Sequence, residues 1–256
     1  MTNAPDTKAI LETAREACRR GGEKLKAAFG DLTLVKERLP HDIKSFADTA
    51  SEEAIRKFLS AACPDDHILG EEEGGELSNE GGSWVVDPLD GTINFSHAIP
   101  YFAVTAAYFW QGKPLAGVIH DPLRGTDCWA LKGEGAFKDG KKISVSQTKE
   151  LKDAMVFVGC GKSEDFLEHW RSLERIVSRI HSVRFNCCAT LDLCALSEGR
   201  CDAYRDLGLY LWDFAAGALI LEEAGGFFEA KPGKIKGTYD CLGANPALFD
   251  ELKKLC

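Results

Sequence analysis

Asp87 and Asp90 have the spacing of two ligands for one cation. Asp87 directly follows the apolar run Trp84–Val86, and Pro88 and Gly91 occur beside the two acids. Pro88 restricts the turn, whereas Gly91 lets the backbone approach a ligand closely. Two carboxylates at one strand end repel each other unless a cation lies between them. Oxygen ligands favour a hard cation, Mg²⁺ before zinc, although an Asp-Pro turn before a capped helix is the alternative interpretation.

Further acidic residues could face the cleft that would hold this cation. Glu71 directly follows the apolar segment His67–Leu69, and Asp213 lies at the start of an otherwise apolar helix. Each has a simpler explanation, because acidic runs are commonly solvated and a carboxylate stabilises a helix N-terminus. Asp48 has the same ambiguity, since it could be the N-cap of its helix. Together these acids strengthen the case for a metal site.

In their order and separation, these motifs resemble those of the inositol monophosphatase family. The matching segments are Gly70–Glu72, Asp87–Thr92, Asn94-Phe95 and Trp212–Gly217, and the resemblance extends from Lys36 to Gly226. It implies an α/β protein of mixed α+β character. The expected architecture is the layered αβαβα sandwich of the inositol monophosphatase and fructose-1,6-bisphosphatase type. The expected activity is that of a Mg²⁺-dependent, lithium-sensitive phosphatase.

The resemblance also implies a set of metal ligands for two to three Mg²⁺ ions. Glu71, Asp87 and the carbonyl of Leu89 would hold the first ion. Asp87, Asp90 and Asp213 would hold the second ion. Glu71 would also reach a third, more loosely held ion through water molecules.

The same resemblance implies which residues act on the phosphate. Glu71 and Thr92 would position the attacking water, with Asp48 oriented towards the third ion. The amides of Gly91 and Thr92, at a helix start, would bind the phosphate. Metal ions suit a dianionic phosphate monoester, because they neutralise its charge, lower the pKa of bound water and stabilise the leaving alkoxide. No Cys, Ser or His nucleophile is required.

Five residues are expected to line the pocket for the alcohol part of the substrate: Cys187, Cys188, Ala189, Arg205 and Asp206. Cys187-Cys188 stands where the family has Gly-Ser/Thr, and Asp206 stands where the family has a Glu that binds inositol hydroxyls. The shorter acid puts inositol phosphate in doubt, and Arg205 could meet a second anionic group. The alternative is that these are core and surface residues unrelated to a ligand.

The sequence therefore does not decide the identity of the substrate. Inositol monophosphate is the first candidate, and fructose 1,6-bisphosphate, histidinol phosphate and a nucleotide 3′-phosphate are the alternatives. The segment Ile93–Phe95 favours the inositol and sugar phosphatases over the nucleotide branch. A different class of function is a non-catalytic regulatory protein on the same fold. Such a protein would be free to lose a metal ligand, yet all four acids are present, namely Glu71, Asp87, Asp90 and Asp213.

Composition and charge indicate the cellular location and the binding partners to expect. The 256 residues carry a net charge of −9, which argues against binding to nucleic acid or to an anionic membrane. The ten cysteines include no C-x-x-C pair, and the polar N-terminus lacks an apolar export segment. We therefore expect reduced thiols in a cytoplasmic protein. The expected partners are a small phosphorylated substrate and a second copy of the chain in a homodimer.

Hydrophobic periodicity predicts the elements that must position these residues. Helices are predicted at 7–29, 48–62, 163–180, 189–198, 213–224 and 246–255. Strands are predicted at 67–69, 84–86, 102–109, 114–120, 127–132, 155–158, 183–186, 227–228 and 241–244. Helices alternating with clusters of strands indicate an α/β layered sandwich. We expect one domain over residues 1–256, with two intimately packed lobes at 1–145 and 146–256.

Overall fold

The computed structural model describes residues 5–31, 35–39, 42–159 and 166–255. Its helices are α1 (Thr7–Ala28), α2 (Phe46–Ala62), α3 (Thr92–Ser96), α4 (Phe166–Val177), α5 (Ala189–Ser197), α6 (Leu211–Glu223) and α7 (Phe249–Leu255). Its first strands are β1 (Val35–Leu39), β2 (Asp42–Ser45), β3 (His67–Gly70), β4 (Gly82–Asp90), β5 (Ala103–Trp110), β6 (Lys113–Asp121) and β7 (Thr126–Leu131). The remaining strands are β8 (Gly135–Lys138), β9 (Lys141–Lys142), β10 (Met155–Val158), β11 (Ser182–Arg184), β12 (Ala203–Leu209), β13 (Phe227–Pro232) and β14 (Tyr239–Ala244).

Two large sheets organise most of these strands. In the seven-stranded sheet the strands follow chain order from β3 to β9, and β3 runs parallel to β4 while the other neighbours are antiparallel. The five-stranded sheet has the order β11-β10-β12-β14-β13. In it, β10 runs parallel to both of its neighbours and β14 antiparallel to both of its own. Strands β1 and β2 form a separate antiparallel pair.

Helices and sheets alternate in five layers. Helices α1 and α2 pack on each other and on one face of the seven-stranded sheet. Helices α5 and α6 contact the other face of that sheet and also contact the five-stranded sheet. Helices α4 and α7 share a third hydrophobic cluster with β10, β12 and β14. The order is αβαβα, so the predicted layered sandwich is confirmed.

The sequence patterns of the helices follow from these layers. Helix α1 buries one face, including Ala14, Cys18 and Leu25, and begins after Asp6, whose carboxylate accepts the amide protons of Lys8 and Ala9. Helix α6 is apolar on nearly all sides instead, because a sheet covers it on both faces. An acid at the start of such a helix therefore lies between the two sheets.

Several elements differ from their predictions. Strand β12 lies where no element was predicted, because its polar residues hide the alternation of a buried strand. Strands β1 and β2 occupy a segment for which neither a helix nor a strand was predicted. Strand β4 continues to Asp90 rather than ending at Asp87, and α6 begins at Leu211, two residues before the predicted start.

The chain changes from one large sheet to the other between Lys142 and Met155. The division into lobes near residue 145 remains a prediction. None of the helices in the described ranges is long and apolar enough to cross a membrane. The eight cysteines of those ranges form no disulfide with one another.

Candidate active site

A bulge at the end of β4 separates the two acids of the first motif. Asp87 pairs with Thr105 of β5, whereas Asp90 pairs with Ala103, so three steps on β4 match two steps on β5. A bulge of this kind bends the strand and turns side chains out of the regular alternation. Asp87 is buried, and its Oδ1 accepts the Leu89 amide proton at 2.9 Å. Asp87, Leu89 and Asp90 all line one cavity.

The turn after Asp90 depends on Gly91. Gly91 has φ of 94°, and a Cβ atom there would lie 3.0 Å from the carbonyl oxygen of Tyr101. The next residue, Thr92, begins the five-residue helix α3. Its hydroxyl lies 3.0 Å from the carbonyl oxygen of Leu89 and 3.2 Å from Oδ1 of Asp48. The turn therefore brings the predicted phosphate-binding residues beside the predicted catalytic acid Asp48.

Strand pairing places Glu71 beside this motif. Strands β3 and β4 are parallel, with Gly70 opposite Val86, so Glu71, directly after β3, and Asp87, the next residue of β4, lie at the same end of this strand pair. Both residues line the cavity. Glu71 therefore lies at the cleft and is not part of a purely solvated face.

Asp213 comes from the opposite side, in the first turn of α6. Its Oδ2 accepts the Tyr210 amide proton at 2.7 Å, which makes it part of a capping box. Asp213 also lines the cavity with Asp87 and Asp90. The capping interpretation and the metal-ligand interpretation therefore apply to the same side chain.

The acids at the cavity are close enough to raise one another's pKa values. Burial, followed by the negative charges of Glu71, Asp90 and Asp213, raises the pKa of Asp87 well above its usual range. Burial, followed by the charges of Glu71 and its neighbour Glu72, raises the pKa of Asp48 to about 8. A divalent cation among these carboxylates would relieve the repulsion that raises both values.

The donor chemistry of this cluster fits Mg²⁺, although the described side chains do not form a closed set of ligands. Among the described residues, no three His, Cys, Asp or Glu side chains are arranged closely enough to hold a metal ion. Asp87, Asp90 and Asp213 each turn one oxygen to a protein donor instead. Buried, mutually repelling carboxylates beside a backbone carbonyl are still the ligands that a hard cation prefers.

The predicted alcohol pocket adjoins the acidic cluster. Cys187, Cys188, Ala189 and Asp206 line the same cavity as the acids. Cys188 is the N-cap residue of α5, and Cys187 before it has φ of 55°, in the region that usually favours glycine. Asp206 is buried and accepts the Tyr204 hydroxyl proton at 2.8 Å.

Arg205 is separated from this cavity, contrary to its predicted place in the pocket. Successive side chains of a strand point to opposite faces. On β12, Tyr204 and Asp206 face the acidic cavity, whereas Arg205 and Leu207 line a second cavity on the other side of the strand. No strand was predicted over these residues, so both were expected in the same pocket.

Asp192 is a lining residue that the sequence analysis missed. It lies on α5 and is buried, and its Oδ1 accepts protons from the Tyr101 hydroxyl and the Asn186 amide, both at 2.8 Å. Its Oδ2 has no hydrogen-bond partner among the described residues. Burial raises the pKa of Asp192 to about 8. The available signal was an acid between Leu191 and Leu193 in an otherwise apolar helix.

One face of α2 carries two polar residues that the sequence analysis missed, Ser51 and Glu52, next to the predicted Asp48. Asp48, Ser51 and Glu52 are buried at the helical spacing of one face. The Ser51 hydroxyl donates to the carbonyl oxygen of Pro88 at 2.8 Å. Polar residues on the same face as Ile55 and Leu59 were the available signal, because an apolar face does not bury polar groups without partners.

The described lining of the cavity carries strong negative charge. It contains no Lys, Arg or His, and its acids are Glu71, Asp87, Asp90, Asp192, Asp206 and Asp213. The cavity is therefore suited to cations and to hydrogen-bond donors.

Comparisons with known proteins identify the family of this chain. A model of the inositol monophosphatase family matches residues 6–252. The fructose-1,6-bisphosphatase/inositol-1-monophosphatase of Aquifex aeolicus is 34% identical over 247 residues, which cover 95% of this chain and 93% of that protein. The Nus factor SuhB of Pseudomonas aeruginosa is 37% identical over 229 residues, which cover 85% of this chain and 83% of that protein. The crystal structure of the extragenic suppressor protein suhB from Bartonella henselae has a TM-score of 0.89 at 32% identity, covering 96% of this chain and 98% of that chain. The chain belongs to the inositol monophosphatase family.

Proposed function

We propose that this protein is a Mg²⁺-dependent phosphomonoesterase that hydrolyses a small phosphorylated alcohol, with inositol monophosphate as the first candidate. One observation carries the proposal. A single cavity joins the acids of three separate segments to the turn at Gly91-Thr92 and to the pocket around Asp206. Membership in the inositol monophosphatase family supports a phosphatase.

Two sets of ligands would hold the metal. Glu71, Asp87 and the Leu89 carbonyl would hold one Mg²⁺ ion, and Asp87, Asp90 and Asp213 a second, with a third reached through Glu71. Bound Mg²⁺ supplies charge neutralisation and Lewis acidity to the phosphate. Burial and then the negative charges of neighbouring acids raise the pKa of Asp87, and this supports the assignment, because a bound cation would offset that repulsion.

The remaining residues of the cavity bind and orient. The Thr92 hydroxyl is held between the Leu89 carbonyl and Asp48, so it can direct a water molecule towards a phosphate bound at the turn. The backbone amides of Gly91 and Thr92 are proposed to donate to the phosphate oxygens. Because α3 has only five residues, we assign this role to the individual amides rather than to a helix dipole.

The charge of the pocket favours a neutral polyol as the alcohol part. Asp206 and Asp192 are acceptors for hydroxyl protons, and the described lining offers no cation to a second phosphate. Arg205, the residue predicted to meet a second anionic group, lies on the other side of β12. These observations favour inositol monophosphate over fructose 1,6-bisphosphate and over nucleotides with two phosphates.

A phosphate-release screen tests the proposal. Purified protein is incubated with Mg²⁺ and inositol 1-phosphate, fructose 1,6-bisphosphate, histidinol phosphate or adenosine 3′,5′-bisphosphate. We expect inositol 1-phosphate to give the highest kcat/KM, with loss of turnover after exhaustive chelation and inhibition by Ca²⁺ and by Li⁺. Full turnover after chelation would contradict the metal-dependent mechanism.

The relative named Nus factor SuhB supports a second candidate, a regulatory binding role without catalysis. The same screen separates the two candidates. A protein that binds Mg²⁺ in calorimetry but releases no phosphate from any of the four substrates would favour the regulatory role.

A further inference from the structure

Glu52 is a fully buried acid on α2. It lies next to the turn at residues 71–74, here called the acidic turn, but it does not line the cavity. It is one helical turn after Asp48 on α2 and has 0% exposed surface. Its Oε2 accepts the amide proton of Glu72 at 2.8 Å, and its Oε1 accepts the amide proton of Glu73 at 3.0 Å. One carboxylate therefore binds two consecutive backbone amides directly after Glu71.

Arg56 holds this carboxylate and the end of the same turn. Its Nε donates to Oε1 of Glu52 at 2.7 Å, and its Nη2 donates to the carbonyl oxygen of Gly74. The amide of Gly70 donates to that same carbonyl at 3.0 Å and closes the turn. Glu52 and Arg56 thus contact the turn from Glu72 to Gly74, while Gly70 joins its two ends.

The space at Gly70 shows how closely Glu52 approaches. A Cβ atom at Gly70 would lie 2.4 Å from Oε1 of Glu52, a distance that side chains do not tolerate. Residue 70 is the last residue of β3 and directly precedes Glu71. The strand end and the carboxylate are therefore packed in direct contact.

A buried negative charge beside the acids of the turn is unfavourable unless it makes bonds that a neutral group cannot replace. A carboxylate is an acceptor at both oxygens, so it can serve two amides and a guanidinium together. A glutamine offers only one acceptor oxygen, and its NH₂ group would face an amide donor. The chemistry of the three donors therefore explains why an acid stands here.

We propose that Glu52 is a positioning residue that holds the acidic turn so that Glu71 faces the cation site, with Arg56 keeping the Glu52 carboxylate in place. Glu52 itself does not contact the metal or the substrate. The inference depends on the proposed function, because it assigns Glu71 as a Mg²⁺ ligand.

The test compares Glu52→Gln with Glu53→Gln, which removes the same charge from the exposed neighbour on α2. Mg²⁺ binding to the chelator-treated protein is measured by calorimetry, and amide hydrogen exchange of Glu72 and Glu73 is measured by NMR in the same metal-free protein. We expect Glu52→Gln to raise the Kd for Mg²⁺ about tenfold and to speed exchange of both amides. Glu53→Gln should change neither quantity more than about twofold.

Glu52→Asp separates geometry from charge. It keeps the negative charge but is one methylene shorter, so we expect it to behave like Glu52→Gln. Wild-type Mg²⁺ affinity in Glu52→Asp would show that charge alone matters and would overturn the proposal. A lower Tm in Glu52→Gln with unchanged Mg²⁺ affinity and unchanged amide exchange would also overturn it, since that result describes a purely structural residue.

Two further measurements keep the test decisive. If Glu52→Gln does not fold, Arg56→Lys retains the charge but loses the paired contacts, and it should weaken Mg²⁺ binding in the same direction. Unprotected exchange of the Glu72 and Glu73 amides in the wild-type protein would overturn the proposal without any variant. If the wild-type protein binds no Mg²⁺ while those amides are protected, the proposed function fails and Glu52 still holds the turn.

Discussion

The Sγ atom of Cys188 lies 3.1 Å from Oδ2 of Asp90, so the turn predicted to face the alcohol donates directly to a predicted metal ligand. The amide and the hydroxyl of Thr190 donate to the same oxygen, at 2.7 and 2.6 Å. The orientation of the Asp90 carboxylate therefore depends on the first residues of α5. Changes at Cys188 or Thr190 should consequently affect the metal site.

Thr190→Val tests this dependence. Valine has nearly the same shape but removes one of the donors that orient the Asp90 carboxylate. A hydrogen bond to a charged group contributes about 1.5–3 kcal/mol, so we expect the Mg²⁺ concentration for half-maximal activity to rise about tenfold. Thr105→Val is the matched control, because Thr105 is a buried threonine whose hydroxyl donates to the Val118 carbonyl instead. Equal Mg²⁺ dependence in the two variants would contradict the role given to Thr190.

Asp90→Asn and Asp213→Asn test the second metal site. Each change removes one negative charge at almost constant volume, so we expect kcat to fall at least about 100-fold, equivalent to about 3 kcal/mol. The metal-free variants should melt at higher temperature than the metal-free wild type, because fewer carboxylates repel one another. Steady-state kinetics at saturating Mg²⁺ and thermal unfolding in chelator measure the two effects.

Asp121→Asn is the control for these variants. Asp121 is also buried, but it accepts the amide protons of Leu123 and Arg124 and does not line the cavity. Its kcat should stay within about twofold of wild type. Near wild-type kcat in Asp90→Asn or Asp213→Asn would mean that the residue is not a metal ligand.

Asp206→Asn tests the alcohol pocket. The asparagine oxygen can still accept the Tyr204 hydroxyl proton, but the acceptor for a substrate hydroxyl is weakened. We expect the KM for inositol 1-phosphate to rise about tenfold, while the kinetics with p-nitrophenyl phosphate stay nearly unchanged. Equal losses of kcat/KM with both substrates would mean that Asp206 supports the metal site or the fold.

Arg205→Lys is the control on the adjacent residue. Because Arg205 faces the second cavity, the KM for inositol 1-phosphate should stay within about twofold of wild type in this variant. A rise as large as that of Asp206→Asn would show that Arg205 contacts the substrate after all.

The stability of the metal-free protein should depend on pH. Burial raises the pKa of Asp48 and of Asp192 to about 8 and that of Asp206 to about 7, whereas an unfolded Asp titrates near 3.9. The folded chain therefore binds more protons than the unfolded chain between about pH 4 and pH 8, and stability falls as pH rises through that window. We expect a lower Tm at pH 8 than at pH 6 in chelator.

Two measurements complete this prediction. Added Mg²⁺ should raise the Tm more at pH 8 than at pH 6, because cation binding favours the ionised carboxylates. Asp48→Asn should reduce the difference in Tm between the two pH values in chelator, since one titrating group is gone. A metal-free wild-type Tm that stays constant or rises from pH 6 to pH 8 would contradict the prediction.

The fold class and the residues of the acidic cluster could be predicted from the sequence and its resemblance to a known family. Glu71 and Asp87 each follow a short apolar run, and Asp213 begins an apolar helix, which are local patterns that predict strand ends and a helix start. These patterns made a shared site plausible, but it is the packing of α6 between the two sheets that brings Asp213 to the same cavity as Asp87. Their roles at a metal ion remain predictions.

Which neighbouring residues face the cavity, and which buried residues support it, could be seen only in the folded structure. Arg205 and Asp206 are adjacent in the sequence, yet β12 sends them to opposite sides because side chains alternate along a strand. Glu52 binds amides about twenty residues away, and Asp90 accepts from Thr190 about a hundred residues away. Such partners are brought together by the packing of α2 and α5 on the sheets, and no local periodicity encodes that packing.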